Sequence, residues 1–206
     1  MKTRFIVTAV SVLLSLVFIT SVSHIPTISI APSDALAQAA PKYEDEGKKI
    51  VPYVPTPQEV VERMLEMAQV KKGDIVYDLG SGDGRIVVTA AKKYGVKAIG
   101  FEIDPERIRE SQENIKKAGV GHLVEIRQQD IRNVDLSPAS VLTMYLLPEV
   151  NLMIRPNIWK QMKAGSRVVS HDFDMGDWKP LKTERIKEAS GWEHTLYLWH
   201  VEANQK

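Results

Sequence analysis

Between residues 75 and 91 the chain runs from an apolar stretch, Ile75-Val76-Tyr77, through Asp78-Leu79-Gly80-Ser81-Gly82-Asp83-Gly84-Arg85 into a second one, Ile86-Val87-Val88-Thr89-Ala90-Ala91. These pieces read as a buried strand that breaks into a glycine turn and opens a helix. The arrangement commits the chain to an α/β sheet and leaves bare backbone at the strand's carboxyl end, where a ligand can approach closely. Spacing then chooses among ligands. A dinucleotide fingerprint wants a third glycine three residues after Gly82, and that position is Arg85. The pattern is instead acid-x-G-x-G-x-G, with Asp78 two residues ahead of Gly80. A carboxylate there repels a pyrophosphate but accepts hydrogen bonds from a cationic amino group.

Two further acids follow in order. Lys97-Ala98-Ile99-Gly100-Phe101-Glu102 reads as the next strand, ending in a carboxylate 18 residues after Gly84, an offset suited to gripping ribose hydroxyls. Asp104-Pro105 then supplies an N-cap and first-turn proline for a helix from Pro105 to Ala118, closed by Gly119. Leu123 to Arg127 reads as a third strand, followed by Gln129-Asp130-Ile131. Taken singly, a glycine turn occurs in many α/β proteins without a ligand, and each acid has an ordinary reading as a cap or a solvated loop residue. Their joint order at one sheet edge is the informative feature, and it resembles the class I S-adenosylmethionine-dependent methyltransferases. The resemblance implies a Rossmann-like fold with a mostly parallel seven-stranded sheet, an antiparallel last strand and helices on both faces. It implies S-adenosylmethionine as cofactor, bound by Asp78, Gly80, Ser81, Gly82, Gly84 and Glu102, with Asp130 and Ile131 at the adenine.

Upstream, Tyr53-Val54-Pro55-Thr56-Pro57 precedes an amphipathic helix with Val60, Val61, Met64, Leu65 and Ala68 as its buried stripe. Thr56 is expected as N-cap, completing a capping box with Glu59. Tyr53-x-x-Thr56 resembles the segment that closes over the cofactor in non-SET histone-lysine methyltransferases; a proline-stiffened lead into a helix is the plainer alternative. Val141 to Leu147 is expected as the fourth strand. Its exit, Tyr145-Leu146-Leu147-Pro148-Glu149-Val150, lacks the [DN]-P-P-[YFW] motif of many amino-group methyltransferases of nucleic acids and glutamine. It resembles instead the non-SET histone-lysine and ATP-synthase c-subunit-type lysine enzymes. Tyr145 is a candidate aromatic wall around a cation, or an ordinary sheet residue.

A helical stretch with Pro156 at a start or kink, and Trp159 and Met162 inward, leads to Gly165 and to a fifth strand, Arg167 to Ser170. The strand runs into His171-Asp172-Phe173-Asp174-Met175-Gly176-Asp177-Trp178, whose spaced carboxylates fail the EF-hand pattern for want of its glycine and terminal glutamate. Metal binding by His171 and Asp172 lacks a second histidine at ligand spacing, and no metal is assigned. With Tyr145, these two are the catalytic candidates, as acid or base for unloading an ammonium nucleophile. Lys182 to Lys187 and Thr195 to Glu202 complete the strands.

The amino-terminal residues are of another kind. Lys2 and Arg4 precede 18 uncharged residues, Phe5 to Val22, and Ala35-Leu36-Ala37 fits a signal-peptidase site. This predicts a signal peptide over 1–37, or an uncleaved anchor, a linker over 38–52 and a methyltransferase domain over 53–206. The domain is then exported to a periplasm, lumen or extracellular space, or held beyond the membrane. Without Lys2, Arg4 and Asp34 the 27 basic and 26 acidic residues become 25 and 25. A neutral domain carries no basic footprint for nucleic acid. The absence of cysteine excludes disulfides, thiolate metal sites and cysteine nucleophiles. Three function classes follow: a methyltransferase with protein lysine as preferred acceptor, a non-catalytic S-adenosylmethionine-binding module, and a nicotinamide-dependent reductase, which Arg85 disfavours.

Overall fold

The computed structural model describes residues 51–188 and 190–203. The apolar run from Phe5 to Val22, the Ala35-Leu36-Ala37 site and the linker up to residue 50 lie outside the described residues. Among the described residues no helix is long and apolar enough to cross a membrane.

In chain order the elements are α1 (Gln58–Met67), β1 (Ile75–Leu79), α2 (Arg85–Tyr94), β2 (Lys97–Glu102), α3 (Pro105–Ala118), β3 (Val124–Gln128), a 3-10 turn (Ile131–Asn133), β4 (Val141–Met144), α4 (Pro148–Gln161), β5 (Arg167–His171), β6 (Lys182–Lys187) and β7 (Glu193–His200). They build a seven-stranded sheet in the order β3-β2-β1-β4-β5-β7-β6. Strands β1 to β5 pair in parallel, while β7 runs antiparallel to both β5 and β6. The expected architecture is therefore present. Strand order reverses between β1 and β4, the switch point at which open α/β sheets hold ligands beyond their carboxyl ends.

Successive strand residues enter different cores, because side chains alternate across a sheet. Val76, Ala98, Val141 and Val169 pack with α1 and α2, while Tyr77, Phe101, Leu142 and Val168 pack with Ile154 and Ile158 of α4. All five residues of the expected α1 stripe are fully buried. On the α4 face Trp199 donates its indole N–H to the Trp178 carbonyl at 2.7 Å, which pins the loop after β5 to the last strand.

Several boundaries differ from expectation. The helix after β4 begins at Pro148 and contains Pro156, so the Pro-Glu-Val stretch forms a helical first turn. Proline suits that first position, where an amide N–H would have no partner within the helix. Strand β4 stops at Met144, which leaves Tyr145 to Leu147 as the free connection at the ligand edge. Thr56 is not the cap of α1. Pro57 holds that position with ψ 147°, its carbonyl receiving the Val61 amide at 2.9 Å. Thr56 lies one residue too early, and its hydroxyl is taken by His171.

Close packing between the glycine turn and β2 depends on Gly100, where a Cβ would fall 2.5 Å from the Ser81 hydroxyl and 2.8 Å from Ile126 Cδ1. Gly100→Ala should cost about 1–3 kcal/mol in denaturant unfolding. Gly121→Ala, with its nearest neighbour at 3.8 Å, should stay within ~0.5 kcal/mol of the parent.

Candidate active site

The turn after β1 is fastened to the end of β2. Gly80 and Ser81 both donate their amides to the Phe101 carbonyl, at 2.9 and 3.0 Å. Glu102, the next residue, accepts the Gly82 amide on Oε2 at 2.8 Å and the Ile103 and Asp104 amides on Oε1 at 2.8 and 3.0 Å. Two carboxylate oxygens offer about four acceptor positions, so three amides leave capacity for a hydroxyl. Asp104 caps α3 through the Glu106 amide, as its sequence position implies.

Asp78 is buried beneath the turn, where Thr143 of β4 donates its hydroxyl to Oδ1 at 2.8 Å. Burial pushes its carboxyl up to about 7, against the Thr143 hydrogen bond and with help from the Glu102 and Asp83 charges. A cation arriving here would stabilise the ionised form.

Residues 51 to 56 cross the mouth of the site. The Tyr53 ring lies over Gly82, where φ is +54° and a Cβ would sit 2.5 Å from Tyr53 Cε2. The Arg107 guanidinium lies 4.6 Å from the centre of that ring. Arg85 donates to the Thr56 carbonyl at 2.8 Å and pairs with Asp83 at 2.7 Å. The side chain that breaks the dinucleotide spacing thus clamps the covering segment. Beneath it lies a space of about 840 Å³, open to solvent and bordered by Tyr53, Thr56, Asp78, Gly80, Glu102 and Asp130 among others. Ile131 and Tyr145 also border it. Asp130 caps the 3-10 turn through the Arg132 amide and pairs with the Arg132 guanidinium. Two of the expected cofactor residues also have packing contacts inside the protein. The Ser81 hydroxyl packs against Gly100, while Ser81 also borders the cavity, and Gly84 stands against α3, where a Cβ would meet Ser111 Cβ at 2.9 Å.

At the ends of β4 and β5, Tyr145, His171 and Asp172 come together. The Tyr145 hydroxyl donates to Asp172 Oδ2 at 3.2 Å, and its ring lies 3.9 Å from the His171 ring. Burial, and then the Asp172 charge, push the Tyr145 hydroxyl up to about 12. Asp172 is held at φ +60°, with its Oδ1 on the Thr195 amide at 2.8 Å. His171 is completely buried, and that burial pushes its imidazole down to about 4 despite the Asp172 and Glu188 carboxylates. Two partners escape a reading of sequence alone: His194 Nδ1 lies 2.8 Å from His171 Nε2, and Glu188 Oε1 lies 2.6 Å from His194 Nε2. Only the antiparallel pairing of β5 with β7 brings His194 here, and the expected seventh strand began one residue later.

His171, Asp172 and His194 bring three potential metal ligands within 4.8 Å of one another. Two nitrogens at 2.0–2.1 Å from a tetrahedral metal stand about 3.3 Å apart. The histidine nitrogens here are 2.8 Å apart, the spacing of a direct hydrogen bond.

Residues 78–182 match the model of the ANTKMT methyltransferase domain. The chain belongs to this methyltransferase family. A shorter match, over residues 38–113, is to a DNA methylase family. The protein-lysine N-methyltransferase of Saccharolobus islandicus (strain REY15A) is 51% identical over 152 residues, 73% of this chain and 94% of that protein. The human lysine N-methyltransferase of the ATP synthase c-subunit is 30% identical over 133 residues, 65% of this chain and 56% of that protein. A crystal structure described as an RNA methyltransferase from Salinibacter ruber, in complex with S-adenosyl-L-homocysteine, shares 49% identity at a TM-score of 0.69. It covers 73% of this chain and 95% of that one. As a member of the ANTKMT family with the class I fold, the protein is an S-adenosylmethionine-dependent methyltransferase. The nicotinamide reading falls away. The donor set fits the cofactor: spare acceptor capacity on Glu102, a buried carboxylate at Asp78, and glycine backbone bordering the cavity.

Asp78→Asn tests the electrostatics of this floor. An acid whose folded pKa is raised loses stability as pH climbs from its unfolded value near 4 to about 7. The variant should therefore be the more stable protein above pH 7, the difference closing as pH falls towards 4, read by urea unfolding across that range.

Proposed function

We propose that the protein transfers a methyl group to the side-chain amine of a lysine in a protein substrate. The observation that carries this reading is the Tyr145–Asp172 pair, an aromatic ring and a carboxylate joined at the exits of adjacent strands. An ammonium is attracted by both, through the ring's quadrupole and the carboxylate charge. The names of the archaeal and human relatives support the same acceptor class.

In this reading Asp78, Gly80, Gly82 and Glu102 hold S-adenosylmethionine, Tyr53 and Arg85 cover it, and Asp130 and Ile131 border its adenine. The bound cofactor supplies a sulfonium-activated methyl group. The protein's share of the work is orientation and exclusion of water. Tyr145 and Asp172 align the lysine nitrogen, which gives up a proton before its new bond to carbon forms.

Labelled methyl donor offered with lysine-containing protein and with RNA tests the acceptor. Label should enter protein at lysine; label confined to RNA, as the description of the Salinibacter structure suggests, overturns the reading. Tyr145→Ala and Asp172→Asn should lower kcat at least about tenfold with S-adenosylhomocysteine affinity unchanged. Glu102→Ala should weaken that affinity by about 1.5–3 kcal/mol.

We also propose that the domain works beyond the membrane, on the strength of Lys2, Arg4, the apolar run and Ala35-Leu36-Ala37. Amino-terminal sequencing of fractionated cells checks this. A start at Gln38 outside the cytoplasm is expected, intact Met1 in the membrane fraction selects the anchored form, and intact Met1 in the soluble cytoplasm contradicts both.

A further inference from the structure

Methyl transfer to an amine requires that bound cofactor and acceptor displace water from the cavity, yet an ammonium acceptor must lose a proton there. Thr56 borders the cavity, and its hydroxyl oxygen lies 3.1 Å from His171 Nδ1. From His171 the hydrogen bonds continue through His194 to Glu188, whose side chain is 17% exposed. We propose that Thr56, His171, His194 and Glu188 form a proton exit that carries the acceptor's proton from the occupied cavity to the surface. The proposal rests on the lysine reading and assigns His194 and Glu188 to it.

The protons in this chain have one consistent order. Hydrogen bonds from Ser190 and His194 hold the Glu188 carboxyl below its usual value, so it is an acceptor. His194 must then carry its proton on Nε2. With a neutral ring, its Nδ1 accepts from His171 Nε2, which leaves His171 Nδ1 to accept the Thr56 hydroxyl proton. Every incoming position is Nδ1 and every outgoing one is Nε2. The low basicity of buried His171 suits a carrier, since a proton is not trapped there. Asp172 Oδ2, 3.3 Å from His171 Nε2 and 3.5 Å from His194 Nδ1, steadies the passing charge.

In transfer, the acceptor N–H bond breaks and its proton joins the Thr56 oxygen. Thr56 passes its own proton to His171 Nδ1, His171 Nε2 passes one to His194 Nδ1, and His194 Nε2 passes one to Glu188. One proton has left the ammonium and one has reached Glu188, which yields it to water. Once the products leave the cavity, water there accepts a proton from the Thr56 end while another enters at Glu188, and the original order returns.

The titratable and charged groups facing the chain are Tyr145 after β4, Asp172 after β5, His194 on β7, Glu188 in the β6–β7 turn, and Arg85 on the Thr56 carbonyl. His194→Phe and Glu188→Gln should lower kcat on a lysine-containing peptide ten- to a hundredfold at pH 7, with KM and S-adenosylhomocysteine affinity unchanged. The deficit should shrink as pH rises towards the lysine value near 10.4, because the amine then arrives unprotonated. A loss that persists unchanged at high pH, or no loss at pH 7, overturns the exit. Loss of wild-type activity to a chelator, restored by zinc, overturns it in favour of a metal at the same side chains. Nitrogen NMR of the imidazoles decides independently of turnover: both rings should be Nε2–H tautomers, and a doubly protonated or Nδ1–H ring at either position overturns the proposal. A wild type idle on lysine peptide refutes the lysine reading and the exit with it, whereas normal turnover with either ring in another tautomer refutes the exit alone.

Discussion

The site is organised around the Glu102 carboxylate, held by three backbone amides from two separate segments. One oxygen reaches across to Gly82 in the turn after β1, and the other closes on the amides that lead into α3. Charge-assisted bonds to amides are among the stronger single contacts in a fold, and these join the ends of two neighbouring parallel strands. The glycine turn, the start of α2 and the start of α3 are thus placed relative to one another. An acid at this point therefore has a structural task even before it meets a ligand.

The covering segment depends on the same turn. Arg85 leaves the first position of α2, pairs with Asp83 and seizes the Thr56 carbonyl, while Tyr53 rests over Gly82. Any side chain on Gly82 would displace that ring. Replacing the glycine therefore acts on the cover as well as on the floor, and the cover leads through Thr56 to His171.

What could be read from sequence was local. Periodicity locates α1, the apolar runs locate β1 and β2, and Asp104-Pro105 with Gly119 bounds α3, because the forces that set these elements act within a few residues. The contacts of Thr56, Ser81 and Gly84 are not legible in the sequence because distant neighbours decide them: a histidine 115 residues on, the Gly100 backbone, and Ser111 of α3. His194 and Glu188 were invisible for the same reason. A lone histidine at a strand end and a glutamate in a turn acquire meaning only when β7 pairs antiparallel with β5 and closes the cluster from the far side of the sheet edge.

The site depends on a carboxylate already engaged by amides that still has room for a ligand. A crystal structure of the protein with S-adenosylhomocysteine tests this directly. A ribose hydroxyl is expected within hydrogen-bonding distance of Glu102 while the Gly82 amide keeps its hold on the same carboxylate. A ribose lying away from Glu102, or bound only after the Gly82 contact has broken, would contradict it.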